Sequence, residues 1–180
     1  MEPVSSDRED MTLLPWDYFP KSDSPPEIVR RVVREFEAVH AQMDSRTQNL
    51  NSNDVMGAVR PGLERLGFRV ERGKSRTGKI PMPVLFGPNG VVLKTFDVDA
   101  YHAQERLILE VEAGRAVVNH QFLKDLFEAC MMRDVDYLAI AVRQTYKRRG
   151  DFKSIVRFFE TLYASQRIRL PLKGIAIVGY

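Results

Sequence analysis

Several features that would define a class of protein are scarce or missing in this sequence of 180 residues. A single cysteine, Cys130, excludes an intramolecular disulfide. No apolar run approaches the roughly 20 residues that a membrane-spanning helix needs. The N-terminus is acidic and contains prolines, unlike a secretory signal peptide. The histidines do not have zinc-ligand spacing. We therefore expect a cytoplasmic protein that forms one domain and has no membrane partner.

The charge of the chain is distributed unevenly. The formal net charge is +3, but residues 1–26 hold six acids and two bases, which leaves a net charge of +7 on the remainder. A basic body is typical of proteins that bind polyanions, and an excess of this size also serves solubility alone. Charge by itself therefore leaves both interpretations open.

Hydrophobic periodicity predicts a mixed α/β fold. Residues 1–24 are expected to form an irregular arm that packs through its aromatic side chains, and residues 25–180 a single domain. Helices are predicted over 25–48, 51–67, 117–133 and 152–164, with a kink or split at Pro61 and a mostly buried third helix. Strands are predicted from residue 68 and over 84–86, 91–100, 106–113, 135–142 and 174–178. This order predicts a mixed β-sheet with helices on both faces.

Two pairs of acids stand out because alternate residues of a strand share a face. Asp97 and Asp99 are two apart, as are Glu110 and Glu112. If their strands pair as a hairpin, all four acids lie on one side of the sheet, where like charges repel. A divalent cation with a preference for oxygen ligands would compensate for that repulsion. The alternative is that these acids line the solvent face of an exposed hairpin.

The segment DVDAYHAQERLILEVEAG at residues 97–114, followed by the predicted helix and buried strand, resembles the PD-(D/E)XK, or restriction-endonuclease-like, nuclease superfamily. The resemblance covers about residues 53–145, and its motif is short and degenerate. It implies a restriction-endonuclease-like fold, a Mg²⁺ or Mn²⁺ cofactor and hydrolysis of phosphodiester bonds. Asp99 matches the first aspartate of the motif and Glu110 its second acid. Asp97 is an alternative first metal ligand, since it shares a face with Asp99.

Glu112 stands where the motif usually has lysine. Some restriction enzymes of the superfamily also have glutamate there, so Glu112 is expected to act as a metal ligand or as a base. Lys124, in the following helix, is a candidate for the missing ammonium group if its side chain reaches the acids. Its alternative role is that of a solvent-facing helix lysine.

Two basic loops are candidate phosphate contacts, because clustered lysine and arginine can follow a nucleic-acid backbone. The alternative for either loop is a solvated run of charge. The expected nucleic-acid-binding residues are Lys74, Arg76 and Lys79 in the first loop, and Lys147, Arg148 and Arg149 in the second.

These observations predict a Mg²⁺-dependent deoxyribonuclease of the restriction type. Cleavage of both DNA strands favours a homodimer, for which the helix over 25–48 is the predicted contact. The rival hypothesis is a non-catalytic module with the nuclease fold, which binds nucleic acid or serves as a subunit of a larger assembly. The glutamate at position 112 is its main support.

Overall fold

A computed structural model describes residues 14–73, 75, 77–114, 116–117, 119–147 and 150–180. The helices are α1 (Glu27–Met43), α2 (Ser52–Leu66), α3 (Gln121–Met131) and α4 (Asp151–Ser165). The strands are β1 (Trp16–Phe19), β2 (Arg69–Val70), β3 (Ile80–Phe86), β4 (Val92–Val98), β5 (Ala100–His102), β6 (Leu107–Glu112), β7 (Tyr137–Val142) and β8 (Gly174–Gly179). None of the helices in these ranges is both long and apolar enough to cross a membrane.

Six strands form the main sheet, in the order β1-β8-β7-β6-β5-β2. The central strands β6, β7 and β8 are parallel to one another, whereas β1, β5 and β2 run antiparallel to their neighbours. The remaining strands, β3 and β4, form a separate two-stranded sheet. The predicted mixed sheet is confirmed.

Helices cover both faces of the main sheet, as predicted. Alternation along β6 sends Leu107, Leu109 and Val111 into the core that contains residues of α1 and α2. Ile108 points into the opposite core, which contains residues of α3 and α4. Because side chains alternate along a strand, Glu110 and Glu112 lie on the same side as Ile108 and extend that side beyond the apolar core.

The structure corrects the expected N-terminal arm. Within residues 14–24, Trp16–Phe19 form an edge strand that pairs with β8, and Tyr18 and Phe19 are buried. Strand pairing satisfies backbone groups that an irregular segment would leave to solvent. The expected packing of the aromatic residues of this segment is confirmed for these two; residues 1–13 lie outside the described part of the chain.

The helices also differ from expectation. Of the kink or split predicted at Pro61, the split is wrong, because α2 continues without interruption from Ser52 to Leu66. The next residue, Gly62, lies so close to α1 that a methyl group there would meet Glu35, so helix packing supports this stretch. α3 is shorter than predicted, and Phe127 and Met131 are 60% and 52% exposed. One face of α3 is therefore open, whereas the sequence predicted a mostly buried helix.

We expect Leu109→Ala to lower the free energy of unfolding by about 2–5 kcal/mol, because Leu109 is fully buried and its truncation leaves a cavity between β6 and the helices. Leu93→Ala is the matched control, since Leu93 is 60% exposed and should change stability by less than about 0.5 kcal/mol. Urea denaturation of both variants measures the difference. Equal losses would contradict this description of the core.

Candidate metal-binding carboxylate site

A hydrogen bond holds the Asp99 side chain against the C-terminal end of β6. Asp99 lies at the bend between β4 and β5, and its Oδ2 accepts from the backbone N–H of Val111 at 2.8 Å. The register of β5 with β6 ends at the pair Ala100 and Leu109. Asp99 therefore occupies the place where the next strand pair would form, and its carboxyl group lies beside Glu110 and Glu112.

Four carboxyl groups lie near this end of β6, close enough for their charges to affect one another's pKa. Asp99, Glu110 and Glu112 come from the sheet, and Asp125 comes from α3, where it is 5% exposed and hydrogen bonded to Glu112. None of the four forms an ion pair with a basic side chain among the described residues. The Oδ2 atom of Asp125 is buried, and no hydrogen-bond partner for it exists in this part of the chain. The sequence-predicted cluster of Asp99, Glu110 and Glu112 thus has a fourth member.

Burial and mutual repulsion favour protonation of these acids. Burial raises the pKa of Asp99 to about 6, while the hydrogen bond from Val111 opposes part of that increase. Burial raises the pKa of Glu110 well above its usual range, and the charges of Asp99, Asp125 and Glu112 add to the effect. A fully ionised cluster is therefore unfavourable unless a cation joins it.

Glu112 and Asp125 behave as one titrating pair. Burial is the main cause that raises the pKa of Glu112, and the charge and hydrogen bond of Asp125 raise it further. Burial likewise raises the pKa of Asp125. A hydrogen bond between two carboxyl groups requires a proton on one of them, so the pair holds a proton near neutral pH.

Lys124 is near the cluster but is paired elsewhere. Its ammonium group contacts Glu128 at 3.2 Å, and its side chain is 56% exposed. Its charge nevertheless lowers the pKa values of Glu110 and Glu112 relative to what burial alone would give. The ammonium therefore acts on the cluster from a distance, and a rotation away from Glu128 would be needed for contact.

A second lysine, Lys79, lies on the other side of Asp99. Its ammonium group contacts Glu71 at 2.7 Å. The hydrogen bond to Glu71 raises the pKa of Lys79, with smaller effects from Asp97 and Asp99. Lys79 was predicted as a phosphate contact, whereas the structure places its charge among acids, where it partly offsets the charge of Asp99.

The other predicted site residues are exposed or lie outside the described residues. Asp97 is exposed on β4, opposite Pro81 in the two-stranded sheet, because β4 does not continue alongside β6 as predicted. Lys147 is exposed in the loop after β7. The remaining predicted nucleic-acid contacts lie outside the described residues: Lys74, Arg76, Arg148 and Arg149.

A cavity of about 160 Å³ opens beside Asp99. Its lining includes Ser52 and Asn53 from the start of α2, together with Arg60 and Glu71. The guanidinium group of Arg60 donates to the backbone oxygen of Glu71 at 3.0 Å, and its buried Nε has no partner among the described residues. Hydrogen-bond donors and two acids, Asp99 and Glu71, thus line the same small space.

The carboxylate oxygens near Asp99 are of the kind that a hard divalent cation prefers as ligands. The protein side chains alone do not complete the coordination of such an ion. Within the described ranges, no three or more His, Cys, Asp or Glu side chains are arranged to hold a metal ion by themselves. Mg²⁺ typically binds one or two carboxylates and completes its coordination with water and substrate phosphate. Asp99 and Glu110 supply two carboxyl groups, and the buried, unpartnered oxygen of Asp125 indicates further acceptor capacity beside them.

Sequence reasoning missed two acids of this region, Glu71 and Asp125. Asp125 had a detectable signal, because it lies three residues after Phe122 and one before Leu126, on the buried face of α3. An acid on the buried face of a helix is expected either to have an ion-pair or hydrogen-bond partner or to have a shifted pKa. Glu71 had no comparable signal, since its position depends on how the loop after β2 folds back to Asp99.

Comparison with known protein families finds no family model that matches this sequence, and comparison with curated proteins finds no significant match.

We expect Asp99→Asn to change the pH dependence of stability in metal-free protein. The pKa of Asp99 is about 6 when folded and ordinarily 3.8, so the folded state binds more protons between these values. The free energy of unfolding of the wild type therefore falls as pH rises from about 4 to about 6. Asparagine removes this loss and can still accept from Val111. The variant should be the more stable protein at pH 7, with the advantage shrinking towards pH 4.

Urea denaturation in EDTA at pH 4, 5, 6 and 7 tests this expectation. Asp97→Asn is the matched control, because Asp97 is exposed on β4. A difference between Asp99→Asn and wild type that is the same at pH 4 and pH 7 would show that Asp99 does not titrate as described.

Proposed function

We propose that this chain is a metal-dependent nuclease of the restriction type that hydrolyses phosphodiester bonds in DNA. One observation carries the proposal: Asp99, Glu110 and Glu112 come together at the end of β6 with Asp125 and without ion pairs among the described residues. A cluster of this kind is costly in the absence of a cation. The resemblance of residues 97–114 to the PD-(D/E)XK motif supports the same chemistry.

Asp99 and Glu110 would hold Mg²⁺ or Mn²⁺, with Glu112 as a further ligand or as the base. When bound, such an ion activates water and stabilises negative charge on a phosphate. The pair of Glu112 and Asp125 shares a proton because burial raises both pKa values. A carboxyl pair that titrates near neutral pH can take a proton from an attacking water.

The cationic groups near the cluster would serve positioning and charge compensation. Lys124 acts on Glu110 and Glu112 through its charge, so its proposed role is to stabilise negative charge on the reacting phosphate. Lys79 partly offsets the charge of Asp99. Arg60 lines the cavity beside Asp99, and its Nε, which has no partner among the described residues, can donate to an anionic substrate group there. These contacts would favour a phosphate ester over a neutral substrate.

A homodimer is the arrangement that would cut both strands of a duplex, but α1 is a poor candidate for its contact. The apolar residues of α1, including Val32 and Phe36, are buried within the chain itself. Amphipathicity predicted an interface that the structure uses for the core. A dimer through α1 would have to use its exposed polar face.

The rival function is a DNA-binding or assembly module that does not cut. It is favoured by the position of Lys124, whose ammonium group pairs with Glu128 and leaves no basic side chain in contact with the four carboxyl groups among the described residues. The two functions differ in one observable property, because only the nuclease requires a divalent cation for chemistry.

We expect purified protein to cleave supercoiled plasmid with Mg²⁺ or Mn²⁺, and Glu110→Ala to reduce the rate by about 100-fold or more, since loss of a metal ligand removes several kcal/mol of transition-state stabilisation. Glu105→Ala is the matched control. Glu105 is exposed at the opposite end of β6, so its removal should leave the rate unchanged. Conversion to nicked or linear plasmid is read on a gel.

Equal cutting by wild type and Glu110→Ala would place the site elsewhere or reveal a contaminant. No cutting by either protein, together with salt-dependent DNA binding, would support the rival module. Linear DNA assayed in parallel separates endonuclease from exonuclease action.

We also expect 10 mM Mg²⁺ to raise the melting temperature of the wild type. A dissociation constant near 1 mM would stabilise the folded state by about 1.4 kcal/mol, or roughly 3–5 °C for a chain of this size. The increase should be larger at pH 8 than at pH 5.5, because the raised pKa values of Asp99 and Glu110 make protons compete with the metal. Glu110→Gln should lose most of the increase, and Glu105→Gln should retain it. An equal increase in both variants would mean that the ion binds elsewhere.

A further inference from the structure

A second polar cavity, of about 400 Å³, lies between two loops that are distant in sequence. One loop, residues 45–49, follows α1, and the other, residues 143–147, follows β7. We call this cavity the strand-end pocket. The wall that matters for its chemistry consists of Arg143, Tyr146, Lys147 and Asn49.

Arg143 is a buried cation in the wall of the strand-end pocket. Its side chain is only 6% exposed, and its Nη1 donates to Asn49 Oδ1 at 2.8 Å while Nη2 donates to the Leu50 carbonyl oxygen. The guanidinium carbon lies 5.3 Å from the centre of the Tyr146 ring. Within the described part of the chain, no carboxylate forms an ion pair with it. These contacts fix its orientation but leave its charge without a counterion.

Lys147 adds a second positive charge to the pocket. It is exposed, its ammonium group lies 5.3 Å from the Tyr146 ring centre, and the residues described here include no acid paired with it. Arg46 contributes little net charge, because Asp44 accepts hydrogen bonds from its Nη2 at 2.7 Å and its Nε at 2.9 Å. Among the described residues that line the strand-end pocket, Arg143 and Lys147 are therefore the two cations without an ion-pair partner.

The strand-end pocket and the carboxylate cluster adjoin the same end of β6. Tyr146 packs so closely on Gly114 that a methyl group there would lie 2.6 Å from the ring. Gly114 is two residues after Glu112, and the hydroxyl of Tyr180 donates to the Glu112 carbonyl oxygen at 3.2 Å. An extended polyanion could thus contact both sites at once.

We propose that the strand-end pocket binds one phosphate group of the nucleic-acid substrate, separate from the phosphate that is cleaved. This inference rests on the proposed nuclease function for its choice of ligand. A fixed guanidinium group and an exposed ammonium group are cations that proteins use to bind phosphate oxygens. The polar side chains of Asn49, Thr145 and Gln48 line the same space and suit a hydrated anion.

The test is DNA binding by fluorescence anisotropy in EDTA, over a series of salt concentrations. The probe is a labelled duplex oligonucleotide, and the variants are Lys147→Gln, Arg143→Lys and Arg31→Gln. Arg31 is an exposed residue of α1 that precedes Ser45 by 14 positions, so it lies about 20 Å from the pocket along the helix. Arg31→Gln therefore makes the same charge change as Lys147→Gln at a remote place.

We expect Lys147→Gln to weaken binding roughly tenfold, as loss of one charge-assisted phosphate contact does, and to reduce the salt slope by about 1. Arg31→Gln should leave both values close to wild type. Arg143→Lys keeps the positive charge but loses the planar guanidinium group that Asn49 and Leu50 hold in place, so it should also weaken DNA binding. Thermal melting checks that this variant is folded. Lys147 is exposed, so that variant tests the proposal even if Arg143→Lys does not fold.

Oligonucleotides that end in a 5′-phosphate, a 3′-phosphate or hydroxyl groups identify the source of the bound phosphate. An effect of Lys147→Gln confined to one phosphorylated end assigns a terminal phosphate, and an equal effect on all three assigns an internal phosphodiester. Both results support the pocket. Affinity and salt slope that are the same for Lys147→Gln and Arg31→Gln would overturn it.

Failure of this inference can be told apart from failure of the proposed function, because binding is measured without a divalent cation. Loss of binding in Lys147→Gln, in a protein that never cuts DNA, would support the pocket and refute the nuclease. Metal-dependent cutting of DNA, together with a DNA affinity that Lys147→Gln does not change, would support the nuclease function and overturn the phosphate-binding pocket.

Discussion

The hydrogen bond from the Val111 N–H to Asp99 Oδ2 is the contact on which the candidate site depends. It joins the bend between β4 and β5 to the end of β6, and it holds the carboxyl group of Asp99 at the strand end that carries Glu110 and Glu112. The pairing of β5 with β6 brings the chain to this place, and the hydrogen bond orients the Asp99 side chain. A single backbone donor thus converts acids from separate strands into one electrostatic unit, in which each charge affects the pKa of the others.

Apolar packing on both sides of the sheet stabilises the fold and so offsets the cost of bringing these acids together. The parallel strands β6, β7 and β8 are buried on both faces, so their backbone positions are fixed by packing as well as by hydrogen bonds. Burial reduces the solvation of the acids at the strand end, so their negative charge must be neutralised by protonation or by a cation. The unfavourable charge is local, whereas the favourable apolar burial extends over the whole sheet.

The same strand end carries charges of opposite sign on its two sides. The acids of β6 and α3 lie on one side, and Arg143 and Lys147 lie in the strand-end pocket, separated from them by Tyr146, Gly114 and the Tyr180 hydroxyl. Under the proposed function, successive phosphates of a polynucleotide would occupy the two sides, one beside the metal ion and one in the strand-end pocket. A neutral ligand would form ionic contacts with neither set of charges.

The alternation of layers follows from the amino-acid sequence alone, because apolar spacing along each segment fixes which face of a helix or strand is buried. The relation of Glu110 to Glu112 follows in the same way, since residues two apart in a strand must share a face. Three features arise only when the chain folds: the strand expected over 91–100 breaks at Asp99, Asp125 joins the acids, and residues 45–49 meet Arg143. These depend on contacts between segments far apart in the chain, and local periodicity contains no information about which distant segments meet.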